Sequence, residues 1–324
     1  EIAATSWDAD ARPDTPKPGY QWKHLCPSGE YHELIRSQTD EICRTYPVDG
    51  FWYDIYQAHV YCYCERCREG MKKAGLDAAI PKDAAWYKAL TIQRHCEDLV
   101  SLITGHHPEA SIYFNGLTSL GLPENLEYKL YQWNTKNDLE DLPTTWGGYD
   151  KFPLRAKLFH KEHKPIVAMS GKFHTSWGEF GGFKSPEAIR FEAASMIAFG
   201  SRCNIGDQLH PAGAMDMATY RNIGHAYEYV EKIEHLGIGG LPVANLGLWM
   251  GNDLPADEGT VRMLMEEQID FDVIRPGDDL VGFETIVVPS VAGILDGDAP
   301  RVQKYIADGG SVLILGEGLL TGSR

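Results

Sequence analysis

Short apolar runs alternate with longer stretches of helical periodicity from Ile2 to Leu236, and that alternation leaves few folds open. Parallel strands need a long crossover between them, so each strand–helix step reads as one βα unit. The spacing predicts strands at Ile2–Thr5, Val48–Ile55, Ser111–Asn115, Tyr131–Glu140, Pro165–Ser170 and Arg202–Gly206. It predicts helices over Tyr31–Tyr46, Trp86–Thr104, Pro153–His163, Pro186–Phe199 and Thr219–Leu236, where apolar residues such as Ile189, Ala193 and Ile197 share a face. The expected class is α/β, specifically a (β/α)8 TIM barrel with its N-terminal strands missing.

After Gly237-Ile238-Gly239-Gly240-Leu241-Pro242 the texture changes, and Gly-Gly-Pro punctuation marks a boundary. Residues 1–240 are therefore expected to be a partial barrel and 241–324 a separate, smaller α/β domain. In the latter, strands are predicted at Val243–Leu248, Phe271–Ile274, Thr285–Pro289 and Val312–Leu315, with helices at Glu258–Ile269 and Pro300–Ala307, in a doubly wound arrangement. It carries no Gly-rich phosphate fingerprint, since Gly316-Glu317-Gly318 alone is weak, so its expected role is packing or assembly. The chain begins without Met inside a predicted strand and stops soon after another, so it reads as a piece of a longer protein.

Charge narrows the partners. The sequence of 324 residues carries a formal net charge of −16, which disfavours nucleic acid and anionic membranes, both of which need clustered Lys and Arg. No run approaches the length of a transmembrane helix and no leader peptide is visible. The expected setting is the bacterial cytoplasm.

Catalytic groups of a barrel sit just after its strands. Gly50-Phe51-Trp52-Tyr53-Asp54-Ile55-Tyr56 ends an apolar strand with a carboxylate, which is either a cap for the following loop or a reacting group. At the other strand ends stand Trp7 and Asp8, His24, Tyr56 and His59, Asn115, Trp133 and Glu140, Lys172, His174, Trp177 and Glu179, and Asp207, Gln208 and His210. Aromatic faces stack on sugar rings while His, Asn and carboxylates bind hydroxyls, so this set describes a carbohydrate site. Hydrolysis of a glycoside needs two carboxyl groups about the scissile bond. Asp54 is one; Glu140 or Glu179 is the other, though Glu179 also reads as a surface loop charge and Glu140 as a helix-start residue or ribose-type hydroxyl binder. No Gly-x-Ser-x-Gly elbow favours an esterase.

Cys62-Tyr63-Cys64-Glu65-Arg66-Cys67 supplies three of the four thiolates of a closed zinc site, or else three ordinary reduced thiols. Cys26 is the first choice for a fourth ligand, because loops from adjacent barrel strands meet on one face. Cys43, Cys96 and Cys203 fall inside predicted elements and are expected to be buried. With four thiolates zinc would be structural, leaving catalysis without a cofactor.

Val48-Asp-Gly-Phe-Trp-Tyr-Asp-Ile55 and Cys62–Cys67, with Trp22-Lys-His-Leu-Cys-Pro27 before them, resemble the hypothetical glycosyl hydrolase 6 type barrel of the α-L-fucosidases of glycoside hydrolase family 151. Glu140-Asp-Leu-Pro143, Trp146-Gly-Gly-Tyr149, Gly171–Phe180 and Gly206-Asp-Gln-Leu-His-Pro211 extend the resemblance through most of residues 1–236. The stretch from about 243 resembles the β-galactosidase trimerisation domain, a flavodoxin- or amidotransferase-like fold without its own activity. The resemblance implies release of terminal α-L-fucose from a fucosylated oligosaccharide with retention, by a homo-oligomer (dimer or trimer). It implies a nucleophile at Asp54, as in the Trp-Phe-Asp context of family 29 fucosidases. For the acid/base it favours Glu140, with Glu179 close behind. The thiols resemble the zinc site of family 42 β-galactosidases, whose fourth Cys follows strand 3, as Cys26 would. A β-galactosidase or α-L-arabinopyranosidase, a non-catalytic carbohydrate-binding barrel and a metal-dependent hydrolase are the alternative readings.

Overall fold

The computed structural model describes residues 25–56, 61–146, 148–175, 177–179, 181–251, 253–290, 294 and 297–316, the side chains of Pro123 and Trp146 excepted, and the backbone of Ser6–Trp7. The chain divides into two compact units, Glu1–Asn137 and Asp138–Arg324.

In the first unit β1 (Ser6–Trp7) is followed by α1 (Glu30–Thr45), β2 (Gly50–Tyr53), β3 (Tyr61–Cys62) and α2 (Glu65–Lys73). Next come α3 (Pro81–His106), β4 (Ser111–Phe114), α4 (Pro123–Glu127) and a 3-10 turn at Leu130–Trp133. Strand β2 pairs in parallel with β4, Gly50 against Ser111 through Tyr53 against Phe114. The pairing is close at its start, where any Cβ on Gly50 would lie 2.5 Å from the Ser111 carbonyl oxygen. Helix α3 opens with Pro81, whose missing N–H costs nothing in a first turn, and buries Ile92, Cys96, Leu99 and Ile103. Helix α1 carries Glu30 and Glu33 in its first turn and Arg44 in its last, each sign matched to the helix dipole. β1 pairs with β3 antiparallel, so this pair is not a step in a parallel run. The strand expected at Ile2–Thr5 lies outside the described residues.

The second unit takes up β5 (Asn137–Glu140), α5 (Pro143–Trp146), α6 (Lys151–His160), β6 (Ile166–Gly171), α7 (Pro186–Ala198), β7 (Arg202–Gly206) and α8 (Met217–Gly237). It continues with β8 (Leu246–Trp249), α9 (Leu254–Glu266), β9 (Asp272–Ile274), β10 (Thr285–Val288), α10 (Ala299–Ala307) and β11 (Ser311–Ile314). Among the described residues β5-β6-β7 form one sheet and β11-β10-β8-β9 another. Both follow βα logic: β6 and β7 run parallel, as do β8, β9, β10 and β11 with their neighbours. Counted from β8, the second sheet has the order 2-1-3-4 found at the start of flavodoxin-like sheets. Its strands are nearly continuous hydrophobic runs, with Ile286, Val287 and Val288 all buried, as helices on both faces require. Side chains of Ser185, Asp216 and Asp253 cap α7, α8 and α9 by accepting from backbone N–H groups one turn in.

The strand expected over Tyr131–Glu140 needs correction. Lys129 adopts a left-handed φ of 47° and starts the 3-10 turn, and only Asn137–Glu140 is strand. The intervening residues serve β4 instead: Asn134 Oδ1 accepts from Phe114 N at 3.0 Å, and Thr135 N donates to the Ile112 carbonyl at 2.9 Å. Among the described residues no helix is long and apolar enough to cross a membrane.

Candidate active site and thiol cluster

In the first unit Asp54 follows β2 directly, and Asn115 follows β4. The ladder runs on past the strand ends: Asn115 N donates to the Tyr53 carbonyl and Tyr56 N to the Asn115 carbonyl, both at 2.8 Å. That brings Asn115 Nδ2 to 2.8 Å from Asp54 Oδ1, which also accepts from Ile55 N at 2.9 Å. Asp54 is exposed, and among the described residues its Oδ2 accepts no hydrogen bond. Ile55 has φ +54°, a left-handed conformation costly for a β-branched residue and worth a functional question.

Tyr56, expected at the substrate, has its hydroxyl 2.7 Å from His95 Nε2 on α3. Burial holds that phenol far above its ordinary range. Trp133 is half-buried in the 3-10 turn, and its indole Nε1 is buried without a hydrogen-bond partner among the described residues. His24 and His59 lie outside the described residues; Trp7 is placed by its backbone on β1.

The thiols meet. Cys26, Cys62, Cys64 and Cys67 bring their Sγ atoms within 4.8 Å of one another. The Cys26–Cys67 and Cys26–Cys64 separations are 3.5 and 3.7 Å, near the ~3.8 Å edge of a tetrahedron with Zn–S bonds of ~2.3 Å. Hydrogen bonds from Cys62 and then Cys67 bring the Cys26 thiol down to about 2, while the same contacts with Cys26 push Cys62 up and Cys67 up to about 12. The donor set is thus four soft sulfurs with one thiolate already favoured, and it could hold a metal. Tyr63, Met71 and Tyr87 wrap the cluster. Cys43 and Cys96 are buried as expected, whereas Cys203 is only half-buried.

In the second unit the ends of β6 and β7 carry Lys172 and Asp207. Lys172 N donates to the Gly206 carbonyl at 2.9 Å, and Lys172 Nζ lies 3.8 Å from Asp207 Oδ1, an ion pair too long for a hydrogen bond. The Trp177 ring lies across both strand ends. A Cβ on Gly206 would sit 2.3 Å from it, and one on Gly171 3.0 Å, so glycine at both positions gives the indole its seat. Phe173 packs edge-on against it, 4.9 Å between centroids, and 45% of Trp177 remains exposed as a platform. His210 is half-buried and His174 exposed.

Glu179 and Glu140 differ in kind. The Glu179 Oε2 atom accepts from Thr175 N at 2.8 Å and His174 N at 3.1 Å, and these bonds lower its pKa. Such a carboxylate staples its own loop, the opposite of what a proton donor needs. Gly182 makes room for it: a Cβ there would lie 2.5 Å from the carboxyl carbon. Glu140 is half-buried at the end of β5, with its carbonyl accepting from Arg155 Nη1 at 2.5 Å.

Two features escaped the sequence reading. Next to Glu140, Asp141 is buried and its pKa is raised to about 6 by desolvation, against the pull of Arg155. Beyond it, Glu192 on α7 is buried among Lys184 Nζ at 2.8 Å, Tyr149 at 3.2 Å and Ser170. A Glu inside a helix facing a Lys eight residues earlier carries no periodic signal that could have flagged it.

Comparison with known proteins fits this picture. No protein-family model and no curated protein matches the chain. Among solved structures, α-L-fucosidase isoenzyme 2 from Paenibacillus thiaminolyticus superposes with a TM-score of 0.87 at 32% identity, over 98% of this chain and 49% of that one. The chain thus spans about half the length of that fucosidase. A GH42 β-galactosidase from G. stearothermophilus matches with a TM-score of 0.73 at 13% identity, over 97% of this chain and 58% of its own. The β-galactosidase of Bacillus circulans sp. alkalophilus gives 0.71 at 11%, over 91% and 56%. At those identities the likeness is one of fold. The fold is glycoside-hydrolase-like.

Proposed function

We propose that this chain is part of a retaining exo-α-L-fucosidase in which Asp54 is the nucleophile and Glu140 the acid/base. The observation that carries the reading is the state of Asp54: an exposed carboxylate at the C-terminal end of a parallel strand, one oxygen held by Asn115 and the other accepting no hydrogen bond among the described residues. The fucosidase neighbour, at 32% identity, supports the sugar. In this reading Asp54 attacks the anomeric carbon while Glu140 protonates the leaving oxygen, then activates water to release the sugar from Asp54. Trp177 supplies a stacking face, and Lys172 with Asp207 supplies hydroxyl partners. Glu179 is given no proton-transfer role because its bonds favour the charged form.

The same proposal extends to architecture. The βα steps belong to a (β/α)8 barrel over residues 1–240, and 241–324 is a trimerisation-like domain in a homo-oligomer. Cys26, Cys62, Cys64 and Cys67 would hold a structural zinc, whose chemistry is to cross-link the β3–α2 segment to Cys26, with no open position for substrate. The setting is the bacterial cytoplasm.

Hydrolysis of a panel of aryl glycosides tests the reading. Turnover of the α-L-fucoside with retained anomeric configuration is expected. The fold of the β-galactosidase neighbours favours one second reading, a β-galactosidase or α-L-arabinopyranosidase. Turnover confined to those glycosides would establish it and end the fucosidase assignment; binding of sugar without any turnover would leave a carbohydrate-binding protein.

A further inference from the structure

A chain of polar side chains in the first unit has no part in the reaction above. His32 lies in the first turn of α1, with Arg36 one turn on; His95 and Asp98 lie on one face of α3. Asp98 Oδ2 takes Arg36 Nε at 3.0 Å and His32 Nε2 at 3.2 Å. His32 Nδ1 meets His95 Nδ1 at 2.5 Å, and His95 Nε2 meets the Tyr56 hydroxyl at 2.7 Å. The line runs from the half-exposed Asp98 inward to a His95 ring only 3% exposed.

Proton counting gives the line a direction. A carboxylate only accepts, so His32 must present Nε2–H to Asp98, and a ring with its proton there offers a lone pair at Nδ1. His95 must then donate Nδ1–H to that lone pair, which leaves its Nε2 to accept from the Tyr56 hydroxyl. Every donor and acceptor is used once. The reverse arrangement requires either an imidazole lone pair aimed at the Asp98 carboxylate or a doubly protonated His32 ring. Burial of His95, with His32 beside it, lowers its pKa to about 4, so that ring has one donor and one acceptor nitrogen near pH 7. The other titratable groups acting on the Tyr56 phenol are Cys96 on α3, Tyr31 on α1 and Tyr53 on β2; they are neutral near pH 7 and leave the direction to Asp98.

The inner end of the line is two residues from Asp54, and the residue between is the left-handed Ile55. A β-branched residue holds that conformation only when its neighbours over-determine it. Here the neighbours do: Tyr56 N is bound to the Asn115 carbonyl, Ile55 N to Asp54 Oδ1, and the Tyr56 hydroxyl to His95. The Tyr56 ring also lies against Phe114 and Tyr53, 5.0 and 5.8 Å between centroids. Release of the hydroxyl frees Ile55 to relax toward an ordinary φ, and that rotation swings the Asp54 carboxylate off Asn115.

We propose that Asp98, His32 and His95 are positioning residues: a directional hydrogen-bond chain that pins Tyr56 and, through Ile55, aims Asp54. The proposal deepens the glycosidase reading and rests on Asp54 as its nucleophile.

Two measurements on the protein test it, and they fail separately. Nitrogen NMR of the imidazoles near pH 7 reads the chain without any reaction: His95 is expected as the Nδ1–H tautomer and His32 as Nε2–H. Finding His95 as Nε2–H, or either ring charged, overturns the chain. Kinetics reads the aiming: Tyr56→Phe, which deletes one oxygen, is expected to lower kcat about tenfold on the aryl glycoside turned over best, with KM changed less than twofold. Such a split marks loss of an interaction that matters in the transition state. Asp98→Ala is expected to lower kcat about threefold and to let His95 populate the other tautomer. Unchanged kcat in Tyr56→Phe overturns the proposal. Full activity in Asp54→Ala would instead remove the nucleophile reading and with it the aiming role, while the tautomers still decide whether the chain exists.

Discussion

Asp54 in the first unit and Glu179 in the second are held in different ways. Asp54 accepts at Oδ1 from its neighbour Ile55 N and, from outside its own loop, from Asn115 Nδ2 past the neighbouring strand, and among the described residues its Oδ2 accepts no hydrogen bond. Glu179 in the second is held from within, by backbone N–H groups four and five residues earlier, and one oxygen takes both bonds. A group held by another element keeps its aim when its own loop meets a ligand; a group held by its own loop fixes that loop. The first arrangement suits a reacting atom, the second a structural staple.

The sharpest way to break this contrast is to exchange the consequences of deletion. Asp54→Ala should lower kcat by about four orders of magnitude while the circular dichroism spectrum stays unchanged, in line with loss of a nucleophile. Activity near the starting level would remove Asp54 from the chemistry. Glu140→Gln should lower kcat by about two to three orders of magnitude on substrates with poor leaving groups, the usual share of a general acid, and far less on activated aryl glycosides. A loss equal on both would argue against proton donation by Glu140. Replacement of Cys67 by Ser should remove bound zinc measured by mass spectrometry and lower the melting temperature of the first unit, with kcat of the surviving folded protein within about threefold. Inactivation with retained folding would point to metal chemistry instead.

Titration sharpens the comparison more gently. His95 drops from 6.5 to about 4 on folding, so between those values the unfolded chain binds more protons and the first unit gains stability as pH rises. The gap corresponds to about 3 kcal/mol. Asp141 rises from 3.8 to about 6 and Asp257 from 3.8 to about 7, both through burial, so there the folded form binds more protons and the second unit loses stability as pH rises. Hydrogen exchange at pH 4.5 and 6.5 should therefore show protection growing in α3 and falling in β5 and α9. The smallest effect is expected for Glu179→Gln: slightly faster proteolysis of the loop after β6, with kcat within about fivefold.

Where pattern and chemistry coincide, this protein is readable from its residues. Strands β2, β6 and β7 and the helices α7 and α8 end within a few residues of where periodicity puts them, because apolar spacing and capping residues such as Ser185 and Asp216 agree. Cys26 does lie with Cys62, Cys64 and Cys67 as the sequence suggests, although β1 and β3 pair antiparallel rather than as successive barrel strands. Residues 131–136 are misread as strand because aromatic composition mimics one, while Lys129 in its left-handed conformation turns the chain. The Asp98–His32–His95 chain leaves no trace in pattern: its members lie on two helices with residues 46–80 between them, and each alone is an ordinary polar residue on a helix. The fully buried Lys184–Glu192 pair is invisible likewise, since neither residue type signals burial.

Helix α6 has a mechanical consequence. Arg155, near its middle, grips the carbonyl of Glu140, while Lys157, two residues on, and Lys161, at its C-cap, are tied to Asp270 just before β9 and Asp272 at its start. Arg275 and Glu162 add a clamp at the same end. A ten-residue helix is a rod of about 15 Å that does not bend under small loads. Fixed at the strand end bearing Glu140 and at the edge of the four-stranded sheet, it works as a tie bar. A push on that sheet is not dissipated in a loop; it arrives as a displacement of the peptide that carries Glu140.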